Sequence, residues 1–197
     1  MFGKEHLDRL LVCAKSALED EERYLAGCCA ARNWKMTCGL QTNRNERYYQ
    51  FLIWRRLMAE PMATFPWRSK TERRWYDLAF YDDKTDQLVA VAEIKGWWGD
   101  GKAELAGMKV DMRKLAAAGI KGDMAKLGTL PIPGVMLIIT YQANKEAETN
   151  YGWLANELEV NHGAMKHVSF PVLPAGMEYA IIGFWANSTD SSLRGSA

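Results

Sequence analysis

The chain lacks the features of several large protein classes. No apolar run approaches the roughly 18 residues of a membrane span. Met1-Phe2-Gly3-Lys4-Glu5-His6 leads directly into a charged amphipathic segment and does not resemble a secretory leader. The expectation is therefore a cytoplasmic chain with no membrane partner. Charge of either sign is not in excess: 25 basic residues oppose 24 acidic ones. Composition alone gives no argument for nucleic acid, so such an argument must rest on local clusters. The four cysteines, Cys13, Cys28, Cys29 and Cys38, are expected to be reduced. Cys28, Cys29 and Cys38 lack C-x-x-C spacing and an evident fourth zinc ligand. His6, His162 and His167 show no metal spacing. No G-x-x-x-x-G-K-[ST] or G-x-G-x-x-G run occurs, and no motif supports a Ser/His/Asp or Cys/His nucleophile.

What is present is enough apolar material, 48% of 197 residues, for a sizeable core. Leu7, Leu10, Leu11, Ala14, Leu18, Tyr24 and Leu25 recur at helical spacing and predict one long helix over 4–31. A polar loop follows over 33–43. A second helix over 45–59 carries Tyr48, Phe51, Leu52, Ile53 and Leu57 and stops before Pro61. Strands are expected at 63–68, 75–82 and 88–95, with a charged turn at 68–74. Residues 96–101 read as a glycine-punctuated loop. Helix is expected over 102–118, with a further piece to 126. A buried strand at 134–141, a helix at 144–158 and strands at 167–173 and 178–186 complete the order. The fold class is α/β, a mixed central sheet flanked by helices. Residues 1–190 are read as one domain and 187–197 as a flexible tail.

Chemistry concentrates at two of these strands. Side chains alternate along a strand, so Glu93 and Lys95 share one face while Ile94 takes the other. Asp77 lies sixteen positions before Glu93, across a turn at 82–86, which suits an antiparallel hairpin. A carboxylate ending a buried apolar strand is unfavourable by several kcal/mol unless it is paired or bound to metal. Two that face one space repel, and a hard divalent cation removes that repulsion.

Asp77 followed by Glu93-Ile94-Lys95 on the next strand resembles the D…(D/E)-x-K signature of the PD-(D/E)XK nuclease superfamily. The resemblance implies a restriction-endonuclease-like core of helix, three strands, helix and strand. Residues 45–141 would supply that core, 1–43 an N-terminal helical addition, and 144–186 a C-terminal helix and strands. It implies Mg²⁺, with Mn²⁺ able to substitute, held by Asp77 and Glu93, with Lys95 serving catalysis. Glu46, in the first turn of the second helix, matches the family's additional glutamate. Tyr76 stands where the family often has proline. The implied activity is phosphodiester hydrolysis, on DNA in preference to RNA. The alternative is a catalytically inactive nuclease fold that binds nucleic acid or a protein partner.

Neighbouring residues have sharp and plain readings. Arg68, Lys70, Arg73 and Arg74 read either as phosphate contacts beside the site or as a solvated turn. Trp97 and Trp98, directly after the motif, read as base-stacking residues or as packing. Lys102, Lys109, Arg113 and Lys114 would track a backbone or form a wet helix face. Glu93 and Lys95 have a plain reading as an exposed ion pair, and Glu46 as a helix-dipole residue. The long first helix offers a surface for a homodimer through its apolar stripe.

Overall fold

A computed structural model describes residues 2–32, 40, 46–61, 67–73, 76–96, 102–105, 108–172 and 175–187, with backbone alone at 67–73, 102–105, 108–113, 115 and 162. The elements in chain order are α1 (Lys4–Ala31), α2 (Glu46–Met58), β1 (Trp67–Arg73), β2 (Tyr76–Asp82), β3 (Leu88–Gly96), β4 (Lys102–Leu105), β5 (Met108–Asp111), α3 (Met112–Gly128), β6 (Gly134–Ala143), α4 (Ala147–Leu158), β7 (Lys166–Val172) and β8 (Met177–Asn187). Six strands form one sheet in the order β1-β2-β3-β6-β8-β7. β3 and β6 run parallel, joined through α3, and every other neighbouring pair in this sheet is antiparallel. The α/β class with helices on both faces is as the sequence pattern predicts.

Both faces of the sheet are apolar, and each is covered. Leu78, Phe80, Ala92, Ile94, Leu137, Ile139 and Ile181 pack with α1 and α2. Ala79, Val91, Met136, Ile138, Ala180 and Ile182 pack with α3 and α4. This explains why β3 and β6 read as nearly unbroken hydrophobic runs: neither face meets water.

Of the stripe predicted from helical spacing, α1 buries Leu7, Leu10, Leu11, Ala14 and Leu18, with Ala17 added; Leu25 is partly buried and Tyr24, at the far end, is exposed. The sheet and α2 cover that stripe within the chain, so the feature that suggested a second copy already has its partner. The approach is close at Gly183 in β8. A Cβ placed there would lie 2.9 Å from Leu11 Cδ2 and 3.1 Å from Leu7 Cδ1.

Four expectations need correction. Residues 102–118 are not one helix: a two-stranded hairpin, β4 with β5, precedes α3, so Lys102 and Lys109 lie on strands. Short-range composition could not separate a hairpin from a helix here, because Lys, Ala, Glu and Leu favour helix. The basic run 68–73 is strand rather than turn, paired along β2 from Trp67↔Asp82 to Arg73↔Tyr76. Tertiary pairing overrides the weak strand propensity of charged residues. The expected helix from 144 opens as a short 3₁₀ turn, Asn144–Glu146, before α4. Cys29 is disulfide-bonded, whereas Cys13 and Cys28 are free thiols. A disulfide depends on spatial approach that cysteine spacing does not encode. The expected loop at 33–43 and the tail after 187 lie outside the described residues, apart from Leu40, which is buried.

Gly183→Val is expected to destabilise the fold by about 1–3 kcal/mol, because α1 must retreat from the sheet. Urea denaturation checks this. An unchanged midpoint would contradict the close seating of α1.

Candidate metal centre

The β2–β3 turn and a one-residue register shift between Phe80 and Tyr81 together set the register of the site. Asp82 Oδ1 accepts hydrogen bonds from Lys84 N at 3.0 Å, Thr85 N at 2.9 Å and Thr85 Oγ1 at 3.1 Å. Asp86 takes a left-handed backbone with φ of 52°, a conformation aspartate tolerates better than most residues. From this turn β2 and β3 pair through Phe80↔Ala90, Ala79↔Val91 and Leu78↔Ala92. Continued by one step, that register brings Asp77 opposite Glu93.

The backbone ladder stops there, and side chains take over its hydrogen bonds. Asp77 Oδ2 accepts the Ile94 backbone N–H at 2.7 Å. Gln50 of α2 donates its Nε2–H to the Asp77 carbonyl at 2.6 Å. Strand and helix thus hold Asp77 at both its main chain and its carboxylate. Asp77 and Glu93 thus face each other across the continued β2–β3 register, and the charge of Asp77 acts on Glu93.

Glu93 is almost fully buried on the face covered by α3 and α4. Lys126 of α3 donates its ammonium to Glu93 Oε1. The same ammonium sits 4.8 Å from the centre of the Tyr76 ring. Lys95 lies 3.1 Å from Asp123 Oδ2 and 3.4 Å from Glu46 Oε2. Glu46 Oε1 also accepts the Gly96 backbone N–H at 3.0 Å, so the first residue of α2 is tied to the end of β3. Asp77, Glu93, Lys95 and Glu46, chosen from sequence, therefore lie together.

The electrostatics follow from burial and proximity. Burial pushes Glu93 up to about 7, helped by the neighbouring Asp77 charge and opposed by Lys126. Burial also raises Asp77, against the lowering influence of the Ile94 N–H and Lys95. Burial alone would lower Lys95, but Asp123 and Glu46 outweigh it and hold its ammonium above the ordinary lysine value. With all six groups ionised, four carboxylates face two ammoniums. The remaining negative charge matches one divalent cation.

Among the described residues, no group of three or more His, Cys, Asp or Glu side chains is placed to hold a metal ion. The candidate oxygen donors are the two facing carboxyls, Asp77 and Glu93. Two hard carboxylates fit Mg²⁺, which takes one or two protein carboxylates and completes its shell with water and phosphate oxygens. A cation there would offset the burial that raises both carboxyls and the Asp77 charge that raises Glu93.

No family model, no curated protein and no solved structure matches this chain. Among the described residues, no helix is long and apolar enough to cross a membrane.

The other predicted residues are placed unevenly. Arg68, Lys70 and Arg73 lie on β1, the edge strand beside β2. Arg74, Trp97 and Trp98 lie outside the described residues. Sequence reasoning missed Gln50, Asp123 and Lys126. Asp123 and Lys126 carried a signal: they are three apart in the helix crossing from β3 to β6, so they share its face. Gln50 carried none, being one polar residue among aromatic and aliphatic neighbours.

Because the folded-state value of Glu93 is raised, its protonated form stabilises the fold. That contribution is full below the ordinary value near 4.5 and is lost as pH rises through about 7. Its size is on the order of 3 kcal/mol. In metal-free buffer the denaturation midpoint is expected to fall between these pH values, and Glu93→Gln to remove most of that slope. An identical pH profile for both proteins would show that Glu93 is an ordinary carboxylate.

Proposed function

We propose that this chain is a metal-dependent nuclease of the PD-(D/E)XK type that hydrolyses phosphodiester bonds, in DNA in preference to RNA. The observation that carries the reading is that Asp77 and Glu93 face each other across the β2–β3 register on one sheet face, with Lys95 anchored alongside. The order α2, β1–β3, α3, β6 supports it, since it accommodates the helix, three strands, helix and strand implied by the motif, with the β4–β5 hairpin inserted.

Each residue has a definable part. Asp77 and Glu93 supply the metal's protein oxygens, with the Ile94 N–H fixing which Asp77 oxygen remains available. A bound Mg²⁺ or Mn²⁺ would supply an activated water and stabilise charge developing on the phosphate. Lys95, held as an ammonium by Asp123 and Glu46, donates to that water or to a phosphate oxygen and does not act as the base. Glu46 positions Lys95 and the end of β3. β1, carrying Arg68, Lys70 and Arg73 next to the strand of Asp77, is the segment proposed to meet the DNA backbone.

One observation favours a second reading. Glu93 already has an internal cation in Lys126, which suits a neutralised, inactive nuclease fold serving as a binding subunit. Cleavage of labelled single- and double-stranded DNA and RNA with Mg²⁺ or Mn²⁺ separates the two. Asp77→Ala, Glu93→Ala and Lys95→Ala are expected to lower the rate about 10²–10³-fold with circular dichroism unchanged. Glu46→Ala should have a smaller effect, about tenfold. Wild-type activity no greater than that of these variants on every substrate would leave only the binding reading.

A further inference from the structure

α3 brings two opposite charges to the site one helical turn apart, and each engages a different motif residue. Asp123 binds Lys95, and Lys126 binds Glu93. The two lysines are not equivalent. The hydrogen-bond partners of Lys95 are Glu46 and Asp123, at the rim of the carboxylate pair. Lys126 instead places its ammonium on Glu93 itself, whose side chain is 5% exposed against 33% for Lys126.

Lys126 also has a second support. The Tyr76 ring stands 4.8 Å from its ammonium, within the range of a cation–π contact. Tyr76 directly precedes Asp77, at the position where the motif's relatives often have proline. An ammonium leaving Glu93 therefore need not pass into bulk water. A single positive charge also neutralises only half of the Asp77–Glu93 pair, whereas a divalent ion neutralises both carboxylates.

We propose that Lys126 is the internal counter-ion of the candidate metal centre, holding Glu93 in the metal-free protein and yielding it to a divalent cation by shifting onto the Tyr76 ring. This rests on the metal site of the nuclease reading. Lys126 sets metal affinity by competition, and once displaced it remains beside the site as a positive charge for a phosphate oxygen. It is a positioning residue rather than a catalytic one.

Calorimetric titration of the whole chain with Mn²⁺ alone tests the competition. Lys126→Met should tighten binding about tenfold, the ratio that corresponds to losing one competing ion pair. Lys126→Arg, which keeps the charge, should bind no more tightly than wild type. A second measurement needs no variant. Saturating Mg²⁺ should increase acetylation of Lys126 in the wild-type protein relative to Lys121, which is on the same helix and paired with the exposed Glu159. Wild-type Mn²⁺ binding with unchanged Lys126→Met affinity, or with unchanged Lys126 acetylation, would overturn this role and leave the nuclease reading standing. Absence of Mn²⁺ binding to both wild type and Lys126→Met would overturn the two together.

Discussion

Seating two facing carboxylates against an apolar sheet, Asp77 partly buried and Glu93 buried, is the constraint around which the rest of the site is arranged. Each at the end of an apolar strand is unfavourable to ionise: burial raises both, and the Asp77 charge raises Glu93 further. The fold answers with directed partners: a backbone N–H on Asp77 and an ammonium on Glu93, with a second ammonium close enough to lower Asp77. These contacts hold the pair in place without fully neutralising it. The remaining negative charge is the physical basis for expecting a cation.

The sheet makes this arrangement stiff. β3 is interior, paired antiparallel to β2 and parallel to β6, so neither carboxylate sits on a loop. α2 approaches from one face and delivers Gln50 and Glu46, while α3 lies on the other and delivers Asp123 and Lys126. The C-terminal strands belong to the same sheet, since β8 lies between β6 and β7. α1 packs on β8 at Gly183, far along the chain from the motif, yet completes the core that backs β2 and β3. A site on rigid strands, supported from both faces, is what positional chemistry on a phosphate requires.

Much of the architecture was legible because the signals were periodic. The stripe of Leu7, Leu10, Leu11, Ala14 and Leu18 gave α1, and the two-sided apolar runs gave β3 and β6 as interior strands. The alternation Glu93-Ile94-Lys95 told which residue enters the core, and Ile94 is fully buried. Legibility failed where composition and pairing disagreed. Charged β1 looks like a turn until its partner β2 is in place. The segment over 102–111, rich in helix-forming residues, pairs with itself as a hairpin. The oxidised state of Cys29 likewise follows from a spatial approach that spacing does not encode.

By itself, then, the sequence determined the α/β class, the inward and outward faces of the central strands, and the grouping of Asp77, Glu93 and Lys95, because strand alternation is a local rule. Tertiary structure alone decided what meets those groups. The Ile94 N–H turns to Asp77 because the β2–β3 ladder ends one step before it. Lys126 and Asp123 reach Glu93 and Lys95 because the β3–β6 crossover lays α3 over that face. Such contacts join residues roughly 30 positions apart, beyond the reach of any local periodicity.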